Sequence, residues 1–377
     1  MPIYLDNAAT THLDRRVIQT VYACAKEKLG NASSQHRWGV QAAVVVEGAR
    51  QIVARSINAD HREIYFFSSG TESNNAAIQG AAFAHRKHGD HIIVSAVEHP
   101  SVLEPVRWLQ TQGFRISYIK VDRQGLVDPK DVSREITKRT IIVSVMHANN
   151  EIGTIQPVRA IGALCRRKGV LFHTDACQSF TKVPIDVRKD RLDLVTLNSH
   201  KIHGPRGVSA LYIRKGVKID PLIRGGHQEN GVRAGTYNTE GIAGFGKAVE
   251  IADQRDVTRM QGLRDYFIRQ IETNIAGVVL NGSRHQRLCN NINFSFPGVT
   301  GKPMFALLNK KGIYVATGSA CVANTATLSH VLQALDAGQE RADGAIRMTL
   351  SKWTTKKEID VAVKSIMSIL DGIRRKV

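Results

Sequence analysis

Short apolar runs rich in β-branched and aromatic residues alternate with segments of helical spacing through the first two thirds of the chain. Residues 64–67, 91–94, 116–121, 141–145, 170–173, 192–197 and 208–213 read as strands. Between them, stretches such as 101–112 and 158–168 bring apolar residues back every three or four positions, which predicts amphipathic helices. Alternation of this kind predicts an α/β fold, with a mostly parallel sheet covered by helices on both faces. Ligands in such sheets gather where strands end at their carboxyl termini, so chemistry is sought just after each strand.

After about residue 256 the pattern changes. A long helical stretch over 240–275 leads into strand-like segments at 278–280 and 291–296, with further helical stretches at 303–311 and 355–373. The expected organisation is a large domain over 14–256 and a smaller α+β domain built from 1–13 and 257–377. Ordinary hydrophobic content, 42% of 377 residues, argues against general disorder. No apolar run approaches the roughly 20 residues of a membrane span. The start, Met1-Pro2-Ile3-Tyr4-Leu5-Asp6, has neither a basic opening nor an apolar signal core, so a cytoplasmic location is expected.

Charge and cysteine content refine this picture. The 52 Lys and Arg against 33 Asp and Glu give a net charge of +19, a field that favours anionic partners and allows weak, salt-sensitive association with nucleic acid. Cys24, Cys165, Cys177, Cys289 and Cys321 are too few and too scattered for a disulfide scaffold, their lack of C-x-x-C spacing argues against a structural zinc site, and the odd count leaves room for one working thiol. His85, His88 and His91 are spaced like a metal cluster but are interrupted by Gly89-Asp90 and read as a solvated helix terminus. Trp38, Trp108 and Trp353 read as packing residues.

Three strand ends carry candidate chemistry. Ser68-Ser69-Gly70-Thr71-Glu72 opens a helix after a strand, as either an ordinary capping turn or an anion cradle of backbone N–H groups. Asp175, in His173-Thr174-Asp175-Ala176-Cys177-Gln178, is placed to pair with a protonated ring nitrogen or to cap a helix. Lys201, in Asn198-Ser199-His200-Lys201, is a candidate Schiff-base amine or a solvated charge. Together, an amine, a carboxylate and a phosphate cradle at the ends of one sheet match what pyridoxal phosphate requires.

The chain resembles the class V family of pyridoxal-phosphate enzymes, and within it the cysteine desulfurases of the NifS/IscS type. The resemblance runs in order through Tyr4-Leu5-Asp6-Asn7-Ala8-Ala9-Thr10-Thr11, Gly30-Asn31 with Ser34 and His36, Gly70-Thr71-Glu72-Ser73, Glu98-His99 and Asn149-Asn150-Glu151-Ile152-Gly153. It continues through Asp175-Ala176-Cys177-Gln178, His200-Lys201, Arg233-Ala234-Gly235-Thr236, Gly318-Ser319-Ala320-Cys321 and Ile346-Arg347. It implies the PLP-transferase fold, with pyridoxal 5'-phosphate as cofactor and L-cysteine as substrate. Lys201 would hold the cofactor and move protons, Asp175 would keep its ring nitrogen protonated, and Gln178 would bond the ring oxygen. His99 would stack on the ring and serve in proton transfer, while Gly70, Thr71 and His200 would bind the phosphate. Thr236 would reach the phosphate of a neighbouring subunit, which implies a homodimer, and Arg347 would grip the substrate carboxylate with Asn150 nearby.

The resemblance further implies that the Cys321 thiolate attacks the substrate sulfur and keeps it as a persulfide for an acceptor protein. Cys321 lies in a small-residue stretch without helical or strand periodicity, and the other cysteines, Cys177 included, read as packing. A selenocysteine lyase or another class V lyase or transferase is the alternative. Asn198 departs from the family's usual serine near the phosphate. Iron–sulfur assembly, tRNA or cofactor thiolation and DNA phosphorothioation are the candidate destinations of the sulfur. The chain closes at Val377 soon after its last helical stretch. With the positive charge, this tilts the expected acceptor towards anionic or nucleic-acid machinery.

Overall fold

The computed structural model describes residues 2–296, 298–317 and 328–374. Cys321 lies outside the described residues. The strands are β1 (Ile3–Tyr4), β2 (Ile64–Phe67), β3 (His91–Ser95), β4 (Arg115–Ile119), β5 (Thr140–Ser144), β6 (Leu171–Asp175), β7 (Leu194–Asn198) and β8 (Ser209–Ile213). They are followed by β9 (Val279–Leu280), β10 (Asn291–Ser295), β11 (Ile313–Tyr314) and β12 (Ala345–Thr349). Strands β2 to β8 form a seven-stranded sheet in the order β2-β8-β7-β6-β5-β3-β4. Only β8 runs antiparallel to its neighbours, so the sheet is mostly parallel, as the alternating pattern predicts.

The helices before residue 275 are α1 (Arg15–Lys26), α2 (Arg37–Ser56), α3 (Gly70–Ala84), α4 (Pro100–Thr111), α5 (Pro129–Glu135), α6 (Val158–Lys168), α7 (Thr239–Glu250) and α8 (Gln254–Asn274), of which α4 and α6 fall on the stretches expected at 101–112 and 158–168. The single helix expected over 240–275 is two. Asp253 adopts an extended conformation and accepts a hydrogen bond from the Arg255 N–H, so its side chain caps α8 and ends the continuity. The apolar spacing continues through the break, which is why periodicity alone does not reveal it.

Apolar side chains on the two faces of the large sheet form separate clusters, one around Phe172, Phe180 and Phe245 and the other around Ile78, Ile92 and Leu109. A further cluster joins Leu5 to Phe267, Phe294 and Ile346, so the amino-terminal residues pack with the last third of the chain. There β1 pairs with β11, and β10 lies between β9 and β12. Among the described residues, no helix is long and apolar enough to cross a membrane.

Two readings are corrected. His85 ends α3 and His88 is exposed, but His91 is 1% exposed within β3, between Thr140 and Ser117, so it belongs to the sheet rather than to a solvated terminus. No metal-ligating group of side chains occurs among the described residues. The three tryptophans are half-exposed, although Trp108 packs edge-on against Phe83 and Trp353 against His203.

Buried histidines give the fold a pH dependence. His147 bonds Ser179, and His173 lies between Ser144 and Thr196. Burial pulls both rings from 6.5 down to about 4. Between those values the unfolded chain takes up protons that the folded chain refuses. Stability is therefore full above pH 6.5 and falls as pH drops, by about 1.4 kcal/mol per pH unit for each ring. Thermal melts should show a clear loss of Tm between pH 7.5 and pH 5. A flat profile would refute the assignment of neutral buried rings.

Candidate active site

The carboxyl ends of β2, β3, β6 and β7 converge on one open cavity of about 600 Å³. Its lining includes Gly70, Thr71, His99, Asn150, Asp175, Gln178, His200 and Lys201, so most of the residues singled out in the sequence meet there. Each arrives for a local reason. Ser69 caps α3 by accepting the Glu72 N–H, which turns the first N–H groups of the helix, at Gly70 and Thr71, towards the cavity rim. Gly70 is required at that point: a Cβ there would lie 2.8 Å from the Cys177 Sγ.

Asp175 ends β6 and is 5% exposed. Its Oδ1 accepts the Cys177 N–H at 2.9 Å and its Oδ2 accepts Asn74 Nδ2 at 2.7 Å. Burial pushes its carboxyl up, but these donors and the neighbouring His99 and Lys201 outweigh it and hold the group below the usual carboxylate range. Asp175 is thus an ionised carboxylate at the floor of the cavity. Asn74 directly follows the Gly70-Thr71-Glu72-Ser73 motif. In the fold it is 1% exposed and links Asp175 to Ser101.

His99 caps α4. Its Nδ1 accepts the Ser101 N–H at 3.1 Å, which puts the proton of the neutral ring on Nε2. Burial, then the nearby Lys201 charge, pull this ring down to about 4. Beside it, Glu98 is fully buried, and its Oε1 accepts Ser95 Oγ and the Met146 N–H. Burial raises that carboxyl to about 8, so it carries a proton at neutral pH and joins the ends of β3 and β5 without adding charge. The sequence carries the Glu98-His99 pair but not this role, because the contact with Met146 is made only in the sheet.

Lys201 follows β7, and its carbonyl accepts Lys182 Nζ, which also reaches the Gln178 carbonyl. Lys182 therefore ties together the two loops that carry Gln178 and Lys201, a residue that sequence reasoning passed over. Gln178 Nε2 donates to the Ala8 carbonyl at 3.0 Å, bringing the amino-terminal segment to the rim. His200 bonds Thr10 through Nδ1, and Asn198 reaches His200 Nε2 at 3.4 Å.

Arg347, on β12, is 1% exposed. Its Nη2 pairs with Asp6 at 2.7 Å and its Nη1 donates to the Asn150 carbonyl. Asn150 is held by the turn ending at Gly153, whose φ of 73° and close approach to Asn291 exclude a side chain. Thr236 does not line this cavity. It is exposed beside a separate one, although Arg233, three residues before it, bonds Glu72 of α3. The described residues on both sides of 318–327 are fixed next to the site. Ala316 bridges Arg347, while Ser329 bonds Glu151 and His330 bonds the Glu98 carbonyl.

A cavity floored by a buried carboxylate, entered by an amine and rimmed by a helix N-terminus defines a site for an anionic ring compound. The Aminotransferase class-V family model matches residues 3–361, so the chain belongs to that family. Within it, the chain is 47% identical over 375 residues to a protein of Dictyoglomus turgidum named cysteine desulfurase IscS, covering 99% of this chain and 95% of the relative. A solved NifS-like protein superposes with a TM-score of 0.92 at 37% identity, over 98% of this chain and 100% of that one. A structure of SspA in complex with cysteine superposes with a TM-score of 0.84 at 32% identity, over 94% and 100%. These likenesses place the chain among the cysteine desulfurases of the NifS/IscS type.

Proposed function

We propose that this chain is a pyridoxal-phosphate-dependent cysteine desulfurase, with the cofactor held in the cavity at the carboxyl ends of β2, β3, β6 and β7. The observation that carries the reading is the convergence of Lys201, an ionised Asp175 and the α3 N-terminus on one cavity. The residues present fit the group. Among the described residues, the buried Asn74 Oδ1 and Asn198 Oδ1 on the cavity wall have no hydrogen-bond partner, and the site offers a donor or acceptor for each polar part of the cofactor. Gly70, Thr71 and His200 would hold the phosphate, Asp175 the ring nitrogen, Gln178 the ring oxygen, and Lys201 the aldehyde carbon. The bound cofactor supplies an electron sink for the substrate's carbon atoms.

The chain's own groups supply the remaining chemistry. His99 would cover the ring face of the bound cofactor and, with its proton on Nε2, is arranged for proton transfer at the substrate. Arg347, already partnered by Asp6 and the Asn150 carbonyl, would turn towards the substrate carboxylate. The Lys201 amine would also move protons at the substrate Cα. The Cys321 thiolate forms a bond to the substrate sulfur as the Cβ–S bond breaks. The electron pair of that bond ends with a proton on Cβ, giving alanine, and the sulfur remains on Cys321 as a persulfide.

The persulfide then passes to an acceptor protein. The enzyme would work as a cytoplasmic homodimer, with Thr236 of one copy available to the phosphate bound in the other. Residues 14–256 form its cofactor-binding domain, and 1–13 with 257–377 form the smaller one. The cysteine complex of SspA and the anchoring of residues on both sides of 318–327 beside the cavity support this reading. The test is to incubate the cofactor-loaded protein with L-cysteine, alkylate it and digest it. Mass spectrometry should find one added sulfur on the Cys321 peptide, with alanine formed in equal amount. Alanine without sulfur on any cysteine would overturn the reading.

A further inference from the structure

The edge of the large sheet opposite the cavity carries a cation at every strand. Arg62 precedes β2, Lys215 follows β8, Arg191 precedes β7, and Arg167 and Lys168 precede β6. Lys138 precedes β5, Lys87 precedes β3 and Arg115 opens β4. Because β8 runs antiparallel, its carboxyl end falls on this same edge, and the row is unbroken across the sheet. All of these residues are exposed. Within the same span at the cavity edge lie Lys120, Arg123, Lys201 and Arg206, around β4, β7 and β8, so four of the seven strands have no cation there.

Of this row only Arg62 has a carboxylate partner, because the other acidic residues that form ion pairs on this edge are engaged by cations outside the row. Asp60 pairs with Arg62, Asp90 with Arg139, Asp186 with Lys189, and Asp193 with both Arg166 and Arg214. Glu63 lies 3.8 Å from Arg188. Among the described residues, Arg167, Lys168, Arg191, Lys138, Lys87, Arg115 and Lys215 have no carboxylate partner. Helix-end electrostatics accounts for the three basic residues closing α6 but not for cations at strand ends without a preceding helix, such as Arg191 and Lys215.

We propose that this edge is a docking surface for the phosphate backbone of duplex nucleic acid. At about 4.8 Å between strands the row extends roughly 29 Å. Duplex DNA offers one phosphate charge per about 1.7 Å of axis, so the row faces a continuous ladder of anions. An acidic protein fits less well, because the row has no apolar centre of the kind a protein interface buries. A single strand would need aromatic platforms, and the nearby exposed Trp108, in the last turns of α4, is too little for one. The edge lies away from the cavity, so the proposal stands independently of the chemistry there.

The test compares two charge-reversal variants of the cofactor-loaded enzyme. One carries Lys138→Glu, Arg167→Glu, Lys168→Glu and Arg191→Glu. The control carries the same charge change at exposed positions elsewhere, Lys302→Glu, Lys310→Glu, Lys311→Glu and Lys357→Glu. Binding of a fluorescein-labelled DNA duplex of about 16 base pairs is followed by anisotropy across a salt series. The edge variant should bind at least about tenfold more weakly, with a salt slope smaller by about 3, while the control stays near wild type. Desulfurase turnover and Tm report an intact fold, and a set of Gln substitutions at the same edge positions replaces any reversal that fails to fold. Equal losses in both variants would assign binding to overall charge and overturn the proposal. So would displacement of the duplex by polyglutamate at equal charge, or tighter binding of the single strand.

Discussion

Replacing Cys321 by Ala is expected to reduce sulfur release from L-cysteine roughly a thousandfold or more while the bound cofactor keeps its visible absorbance. The physical ground is that no described cysteine can stand in for it. Cys177 lines the cavity, but it is 6% exposed, packed under Gly70 and beside Asp175. Burial, reinforced by the Asp175 charge, pushes its thiol well above the usual range, so almost none is thiolate at neutral pH. Cys165 is driven to about 12 by burial, and burial also raises Cys24 and Cys289. The paired variant Cys177→Ala should therefore retain turnover per bound cofactor. Measuring alanine and sulfide together separates the outcomes: loss in Cys177→Ala with retention in Cys321→Ala would exchange the two assignments.

The same comparison shows what was legible in the sequence. Strand ends were, because a parallel sheet buried on both faces writes its strands as short continuous apolar runs and its site residues follow at once. Gly70, Thr71, Asp175, Gln178, His200 and Lys201 are all of this kind, and the fold brings them together. Residues that act across the sheet were not. Asn74 is one polar position on an otherwise apolar helix face, and only the packing of α3 against β6 reveals that it holds Asp175. Lys182 reads as an ordinary cation until the loops of Gln178 and Lys201 close around its amine. The pairing of Arg347 with Asp6 joins residues 341 positions apart, a distance at which local spacing carries no signal. His91 opens the strand expected over 91–94 and is buried between β4 and β5, whereas its helical spacing with His85 and His88 points instead to a helix terminus, a reading that fails for this residue.

Asp175→Asn should lower desulfurase turnover by about a thousandfold with the cofactor still bound. The substitution conserves size, and the remaining oxygen can still accept the Cys177 N–H. What it removes is the negative charge, and the site is built to maintain that charge against burial. Two donors and the neighbouring His99 and Lys201 keep Asp175 ionised where an unassisted buried carboxyl would be neutral. Such an arrangement is useful only if a cation sits opposite, and the ring nitrogen of the bound cofactor meets that need. Lys201 and the α3 N-terminus are untouched by the change, so cofactor retention, read from absorbance after gel filtration, should survive. The acid limb of the wild-type pH–rate profile should also lack a step from Asp175 above pH 5, because the carboxyl is held below its usual range and stays ionised throughout. Turnover within a few fold of wild type in Asp175→Asn would mean that the charge is structural. The Asn74–Asp175 contact would then be only a brace between α3 and β6.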